Sequence, residues 1–173
     1  DTMYGNSAES LSEGGLSESA VPESDADILL GDHGVLVHNR GALILLQTTD
    51  LDAASGGADL IYGNEDDDII LAGEGGDTVH GGSGEDIILG DNGLLLYENG
   101  DADPASLDLI RSTDPLNGGD DTLYGDEGND LLLGGTGNDW MDGGEDNDLL
   151  LGDHGQVYRD VENSSSAIDL TQL

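Results

Sequence analysis

The sequence contains no cysteine and no lysine, and its basic side chains apart from histidine are three arginines, Arg40, Arg111 and Arg159. Without cysteine, the chain can form no disulfide framework, no thiolate metal site and no cysteine nucleophile. Three arginines cannot build the basic patch that binding to nucleic acid or to an anionic membrane requires. No run of about 18 apolar residues is present, so the sequence predicts no membrane-spanning helix. These absences argue against nucleic-acid binding and membrane insertion.

Acidic residues dominate the charge, with 39 Asp and Glu among 173 residues and a formal net charge of −36. A chain this acidic repels itself and is expected to need counter-charge in order to fold. Such a composition is also found in disordered tails. The apolar residues argue against disorder here, because they occur in triplets at a fixed spacing.

Nine-residue units with an aspartate at the sixth position fill residues 63–89, and the same register returns over residues 125–151. The unit at residues 81–89 matches the pattern G-G-x-G-x-D-x-U-x, in which U is a large apolar residue. This is the nonapeptide signature of a calcium-loaded parallel β-roll, in which Gly/Asp turns alternate with short strands. The sequence therefore predicts an all-β fold, a parallel β-roll (β-solenoid).

A larger repeat of roughly 60 residues encloses the nonapeptides. The phrase Asp-x-x-Tyr-Gly begins at Asp1, Asp59 and Asp121, and a Gly-Asp-(His/Asn)-Gly turn follows later in each copy. The first copy is degenerate, and its Ser/Glu-rich residues 7–24 form either a coil of the roll or a surface loop. We expect one continuous solenoid of three units, which span residues 1–58, 59–120 and 121–173.

Because two nonapeptides make one coil, strands two nonapeptides apart should share a sheet. One sheet is expected to contain residues 60–62 with 78–80 and residues 122–124 with 140–142. The opposite sheet is expected to contain residues 69–71 with 87–89 and residues 131–133 with 149–151. The central residue of each second-sheet strand should point into the core; these residues are Ile70, Ile88, Leu132 and Leu150. Their neighbours are all Ile or Leu, so this sheet must be covered on its outer face as well.

A β-hairpin is predicted after each Gly-Asp turn, because two β-prone runs flank a turn there. The paired runs are 35–38 with 42–46, 94–97 with 106–110, and 156–158 with 167–170. A hairpin folded back over the second sheet would cover its apolar outer face and give a three-layered structure. A neighbouring subunit could supply some of this cover instead.

The turns have the composition of calcium sites. Calcium binds about six to eight oxygen ligands, which carboxylates and the exposed carbonyls of Gly-rich turns can supply. We expect turn 63–68 to face 81–86, 54–59 to face 72–77, 125–130 to face 143–148, and 116–121 to face 134–139. Turns 90–93 and 152–155 should close the cages on 72–77 and 134–139.

Ordinary Asp/Gly turns without metal are the alternative. Stacked carboxylates would then lie close together without compensation, which is strongly unfavourable. Magnesium fits less well, because it demands octahedral geometry and sheds water reluctantly. The residues expected to hold several Ca²⁺ ions are Asp27, Asp32, Asp59, Gly63, Asp66, Asp68, Gly73, Gly75, Asp77, Gly81, Gly82, Gly84, Asp86, Gly90, Asp91, Asp121, Gly125, Asp126, Gly128, Asp130, Gly134, Gly135, Gly137, Asp139, Gly143, Gly144, Asp146, Asp148, Gly152 and Asp153.

These nonapeptides resemble those of the repeats-in-toxin (RTX) family of hemolysin-type calcium-binding proteins. The resemblance covers residues 59–93 and 121–155 well, and residues 1–6 and 25–34 in part. It implies a right-handed parallel β-roll that folds on calcium outside the cell, after export of the unfolded chain by type I secretion. The hairpin in each unit departs from the usual toxin or protease roll and suggests an architectural array.

The favoured function is therefore an extracellular, calcium-binding structural protein, a stiffened rod, filament or adhesin stalk, secreted or at a bacterial cell surface. Its expected partners are calcium and copies of itself. The alternative is a calcium-dependent secretion and folding module of an RTX enzyme or toxin. No H-E-x-x-H, no G-x-S-x-G and no serine with a plausible base is present, so we expect no enzymatic activity. A soluble calcium buffer would not need an apolar outer sheet.

The repeat register also gives an expectation about the chain ends. Asp1 holds the sixth position of a nonapeptide, and the next Asp-x-x-Tyr phrase would fall beyond Leu173. We expect a slice of a longer array, or a subunit that continues into another copy, since uncapped solenoids stack.

Overall fold

The computed structural model of the protein describes residues 2–4, 26–39, 42–49, 56–97 and 107–158, and the regular structure in these ranges is all β. They form fifteen strands: β1 (Thr2–Tyr4), β2 (Ile28–Leu30), β3 (Gly34–Asn39), β4 (Ala42–Thr48), β5 (Leu60–Glu65), β6 (Ile69–Leu71), β7 (Thr78–Ser83), β8 (Ile87–Leu89), β9 (Gly93–Leu96), β10 (Leu109–Ser112), β11 (Thr122–Glu127), β12 (Leu131–Leu133), β13 (Trp140–Asp142), β14 (Leu149–Leu151) and β15 (Gln156–Tyr158). The strands make three five-stranded sheets. The coil or surface loop predicted at residues 7–24 lies outside the described ranges.

The first sheet is parallel throughout, in the order β1-β5-β7-β11-β13. It pairs residues 60–62 with 78–80 and residues 122–124 with 140–142, as the repeat period predicts. Strand β11 also pairs directly with β7, so the roll continues from one predicted unit to the next without a break.

The second sheet is also parallel, in the order β14-β12-β8-β6-β2, and it contains the predicted pairs β6–β8 and β12–β14. Ile70, Ile88 and Leu132 are fully buried against first-sheet side chains, among them Ile61. Leu150 pairs in register with the buried Leu132, but 39% of it is exposed. It lies on the edge strand β14, where no further described strand covers the core.

The segments that follow the Gly-Asp turns form a third sheet, which is antiparallel and has the order β15-β10-β9-β4-β3. Its buried side chains Leu46, Leu95, Ile110 and Val157 pack in one cluster with outer residues of the second sheet, such as Leu89. A strand that is apolar on both faces needs cover on both faces, and the third sheet provides it. The result is a three-layered structure.

The third sheet differs from the predicted hairpins in two respects. Adjacent hairpins join edge to edge, because β4 pairs with β9 and β10 pairs with β15. The return strand predicted at residues 106–110 runs over Leu109–Ser112 instead. The return strand predicted at residues 167–170 lies outside the described residues.

A hydroxyl group ties each hairpin to the next turn. The Thr48 hydroxyl, which is buried, accepts a hydrogen bond from the backbone N–H of Gly93 at 2.9 Å. The Ser112 hydroxyl accepts one from the N–H of Gly155 at the same distance. These two contacts fix the third sheet against the Gly-Asp turns of the following unit.

We predict that Leu95→Ala destabilises the calcium-saturated protein by about 2–5 kcal/mol, because it opens a cavity between the second and third sheets. Urea unfolding measures the change. Leu116→Ala is the control, since Leu116 is 86% exposed and should change little. Equal stability of the two variants would contradict the packing of the third sheet on the second.

Candidate metal centre

Two ladders of aspartates run along the turns at the two edges of the roll. In each ladder, the backbone N–H of one aspartate donates a hydrogen bond of 2.8–3.1 Å to the carboxylate Oδ1 of the aspartate in the next coil. The first ladder consists of Asp27, Asp68, Asp86, Asp130 and Asp148. The second consists of Asp59, Asp77, Asp121 and Asp139. All are predicted site residues. The nonapeptide period generates the stacking within a unit, where the bonded aspartates are 18 residues apart.

The second carboxylate oxygen of most ladder aspartates is buried and has no hydrogen-bond partner in the described part of the chain. This holds for the Oδ2 atoms of Asp68, Asp77, Asp86, Asp121, Asp130 and Asp139. Oδ2 lies inside the turn: a Cβ added to Gly63 would collide with Oδ2 of Asp68, and one added to Gly81 with Oδ2 of Asp86. A buried carboxylate oxygen without a donor is unfavourable unless a cation or proton compensates it.

Backbone carbonyls converge on the same turns. Gly82 has φ +116°, which side-chain-bearing residues rarely adopt, and a Cβ there would collide with the carbonyl oxygen of Asn64. Glycine is therefore needed for the close approach of successive turns. Other predicted site glycines take positive φ as well, namely Gly73, Gly75, Gly84, Gly128, Gly135, Gly137 and Gly144. The aspartates Asp66, Asp126 and Asp146 adopt a similar conformation.

The turns stack in two columns. The first column contains turns 63–68, 81–86, 125–130 and 143–148, and the second contains the described part of turn 54–59 with turns 72–77, 116–121 and 134–139. Every expected facing pair is adjacent. Two further pairs of turns cross the predicted unit boundary. The backbone N–H of Gly84 donates to the carbonyl of Glu127 at 2.9 Å, and the backbone N–H of Asp77 donates to Oδ1 of Asp121 at 2.8 Å. The columns are therefore continuous.

The donor set fits calcium. It consists of oxygen atoms alone, from carboxylates and backbone carbonyls, which hard divalent cations prefer. Among the described residues, no three His, Asp or Glu side chains converge on one point. A cation here would therefore be held by the Oδ2 of a ladder aspartate together with carbonyl oxygens of two stacked turns.

Burial sets the electrostatics of the ladders. It raises the pKa from 3.8 to about 8 for Asp121, to about 7 for Asp77, Asp86 and Asp91, and to about 6 for Asp68 and Asp130. The backbone N–H donors oppose this rise in pKa, and neighbouring carboxylates add to it. Near neutral pH, the folded turns therefore hold carboxylates that favour protonation or a positive counter-charge.

The Gly-Asp turn at residues 90–93 meets two different parts of the roll. Its backbone faces turn 72–77 as expected, because Gly73 donates to the Gly90 carbonyl at 3.1 Å. The Asp91 carboxylate, however, lies one coil further on, between turns 116–121 and 134–139. Asp32 is placed equivalently in the first unit, and its Oδ2 accepts the N–H of Glu74 at 2.7 Å.

At the third Gly-Asp turn, Asp153 is exposed and the Gly152 carbonyl lies beside Gly134. This turn therefore meets turn 134–139 through its backbone, as expected. The remaining predicted glycines, Gly125 and Gly143, approach ladder aspartates closely. A Cβ added to Gly125 would collide with Oδ2 of Asp130, and one added to Gly143 with Oδ2 of Asp148.

Asp126, a predicted calcium ligand, contacts a histidine. Its Oδ2 lies 3.2 Å from Nδ1 of His80 on the outer face of the first sheet. The His80 ring stacks between those of Tyr62 and Tyr124, with centroids 5.1 and 4.4 Å away. The structure thus gives Asp126 a partner outside the carboxylate ladders.

A second kind of ladder, which was not predicted from the sequence, occupies the fifth position of the nonapeptide. The N–H of Glu85 donates to Asp67, that of Asn138 to Asp120, and that of Asn147 to Asn129. The hydrogen bonds from Asn138 lower the pKa of Asp120. The recurring Asp, Asn or Glu at this position is the signal that could have predicted the ladder.

Comparison with known proteins identifies calcium-binding repeats in this chain. The family model of the RTX calcium-binding nonapeptide repeat matches four copies, within residues 53–79, 62–93 and 117–150. No curated protein sequence and no solved structure matches the chain significantly. The described residues include no helix that is long and apolar enough to cross a membrane.

We predict that Gly82→Ala raises the calcium concentration needed for folding. The alanine would be strained by about 1–2 kcal/mol and would displace the Asn64 carbonyl. Far-UV circular dichroism during a calcium titration measures the midpoint. Gly57→Ala is the control, because a Cβ at Gly57 meets nothing within 4 Å. Identical midpoints for the two variants would contradict the role of the stacked carbonyls.

Without calcium, we predict that the folded state loses stability as the pH rises from about 4 to about 8. The pKa values of Asp77, Asp86 and Asp121 are about 7, 7 and 8 in the folded state, against 3.8 unperturbed. The folded state therefore binds more protons than the unfolded state in this range, and stability falls as they dissociate. Circular dichroism in calcium-free buffer tests this, and β structure that increases with pH would refute it.

Proposed function

Because this chain carries the calcium-binding nonapeptide repeats of the RTX family, we propose that it is an extracellular structural protein that folds and stiffens on binding calcium. The observation that carries the proposal is the pair of aspartate ladders, whose buried Oδ2 atoms are aimed into carbonyl-lined turns. Calcium supplies positive charge there. The chain's contribution is to hold the carboxylates and carbonyls at one spacing in every coil.

The calcium concentration outside cells suits this arrangement. Extracellular calcium-binding modules have Kd values of about 10⁻⁴ to 10⁻³ M, so sites of this class remain empty in the cytosol. The net charge of −36 then keeps the calcium-free chain extended by self-repulsion. Folding would follow export, and the protein would be ordered only where it acts.

The continuity of the roll supports a rod. In the first sheet, β5, β7 and β11 pair without interruption across a predicted unit boundary. Solenoid repeats contact mainly their neighbours, so their length grows with repeat number while their cross-section stays constant. The third sheet adds a layer along the same direction, which thickens the rod against bending.

The outer face of the third sheet supports association between copies. None of its five strands contains Asp or Glu, in a chain with 39 acidic residues. One row across this face is apolar on every strand, and it consists of Val37, Leu45, Leu96, Leu109 and Tyr158. Val37 and Tyr158 are 36% and 64% exposed. Two copies could meet at this face without the repulsion that opposes contact elsewhere.

The family match also favours a second candidate, a calcium-dependent folding module of a type I-secreted enzyme or toxin. Such a module needs calcium-dependent folding but no self-association. The apolar row on the third sheet is the feature that favours the structural role. Neither proposal assigns a catalytic step to this chain.

Sedimentation velocity of the chain tests the structural role. From EDTA to millimolar calcium, we predict compaction followed by growth into larger assemblies, whereas magnesium should give much less of either. Val37→Asp should keep the compaction and reduce the assembly, because it places charge on the apolar row. Trp140→Asp, on the opposite face, is the matched control.

Compaction to a stable monomer would favour the folding module over the structural role. No response to calcium would refute calcium-dependent folding, and with it both candidates.

A further inference from the structure

The chain leaves the roll for the third sheet through the same short turn in each unit. This Gly-Asp-x-Gly turn occupies residues 31–34, 90–93 and 152–155. In the second unit the chain returns to the roll at turn 116–121, after the excursion through β9 and β10. The excursion interrupts the column of turns. The turn at which the chain leaves the roll therefore needs a contact with the turn at which it returns.

The Asp91 carboxylate makes this connection. It is 1% exposed, and its Oδ1 accepts a hydrogen bond from the N–H of Gly119 at 3.0 Å. Its Oδ2 accepts one from the N–H of Thr136. Gly119 lies where the chain returns to the roll, and Thr136 lies in the turn of the following coil. One side chain therefore connects the turn at which the chain leaves the roll, the turn at which it returns, and the turn of the following coil.

The backbone around Asp91 is shaped to admit it. A Cβ at Gly118 or at Gly135 would collide with the Asp91 carboxylate, and Gly135 has φ +107°. In the first unit, Oδ2 of Asp32 accepts the N–H of Glu74 at 2.7 Å, and a Cβ at Gly56 would lie 2.8 Å from that oxygen. The arrangement is thus built twice, and it connects each unit with the turns that follow its excursion.

We propose that Asp32 and Asp91 are positioning residues that couple calcium binding in successive units. Both oxygens of Asp91 are engaged by backbone N–H groups, so its contribution is to set the spacing of turns 116–121 and 134–139. Those turns contain Asp121 and Asp139, whose buried Oδ2 atoms are available to a cation. Turns 116–121 and 134–139 therefore reach this spacing only after the Gly-Asp turn of the second unit is ordered. The inference rests on the proposed calcium-dependent folding.

The chain offers a local reporter and a matched control. Trp140 is the only tryptophan, and it directly follows turn 134–139. Its ring contacts that of Tyr124, with centroids 5.0 Å apart, so its fluorescence reports on the third unit. The control is Asp142, an exposed aspartate that pairs with Tyr124 in the first sheet and lies outside the predicted calcium turns.

The experiment is a calcium titration of the full chain, followed by Trp140 fluorescence and by far-UV circular dichroism. In the unmodified protein the two curves should coincide. In Asp91→Asn, the fluorescence midpoint should move to about tenfold higher calcium and separate from the dichroism curve, since hydrogen bonds to a charged group are lost. Asp142→Asn should leave both curves unchanged, because Asp142 is exposed and is not among the predicted calcium residues.

Curves that still coincide in Asp91→Asn, shifted or not, would overturn the coupling role, because general destabilisation moves both together. If Asp91→Asn does not fold in saturating calcium, Gly118→Ala decides, with Gly57→Ala as its control. Gly118→Ala displaces the Asp91 carboxylate without removing its charge, so it should separate the curves in the same direction. If the unmodified protein folds on calcium but the two curves of the variant still coincide, this inference alone is refuted. If the unmodified protein does not respond to calcium, the proposed function is refuted.

Discussion

The backbone N–H to carboxylate hydrogen bond between aspartates of adjacent coils is the interaction on which the rest of the structure depends. It repeats through both edges of the roll, for example from Asp68 to Asp86 and from Asp77 to Asp121, each at 2.8 Å. This bond sets the coil spacing and also buries a column of like charges. The same feature therefore makes the roll regular and leaves it dependent on counter-charge.

The hydrophobic layers follow from that spacing. Once the turns are stacked, side chains such as Ile61 and Ile70 meet between the first two sheets. The outer residues of the second sheet then form a continuous apolar surface, which the third sheet covers through residues such as Leu46 and Leu95. Core packing and cation binding are thus two consequences of one repeat, and neither is complete without the other.

The sequence allowed the contacts within a unit to be predicted, because the nonapeptide period determines which residues stack. The strand pairs and the facing turns follow from that period alone. Contacts between units could not be predicted in the same way, since the length of the excursion into the third sheet follows no period. The pairing of β7 with β11 and the reach of Asp91 to Thr136 both depend on where the chain returns to the roll. The exposure of Leu150 likewise depends on its edge position, which the triplet pattern does not encode.

Residue-resolved amide hydrogen exchange, measured by NMR near neutral pH with and without calcium, would show whether the aspartate ladders need a cation. We expect the ladder amides of Asp68, Asp77 and Asp86 to be strongly protected in calcium and to exchange freely without it, because the stacked carboxylates need a cation. Equal protection of these amides in both conditions would show that the ladders form without counter-charge, and would contradict calcium-dependent folding.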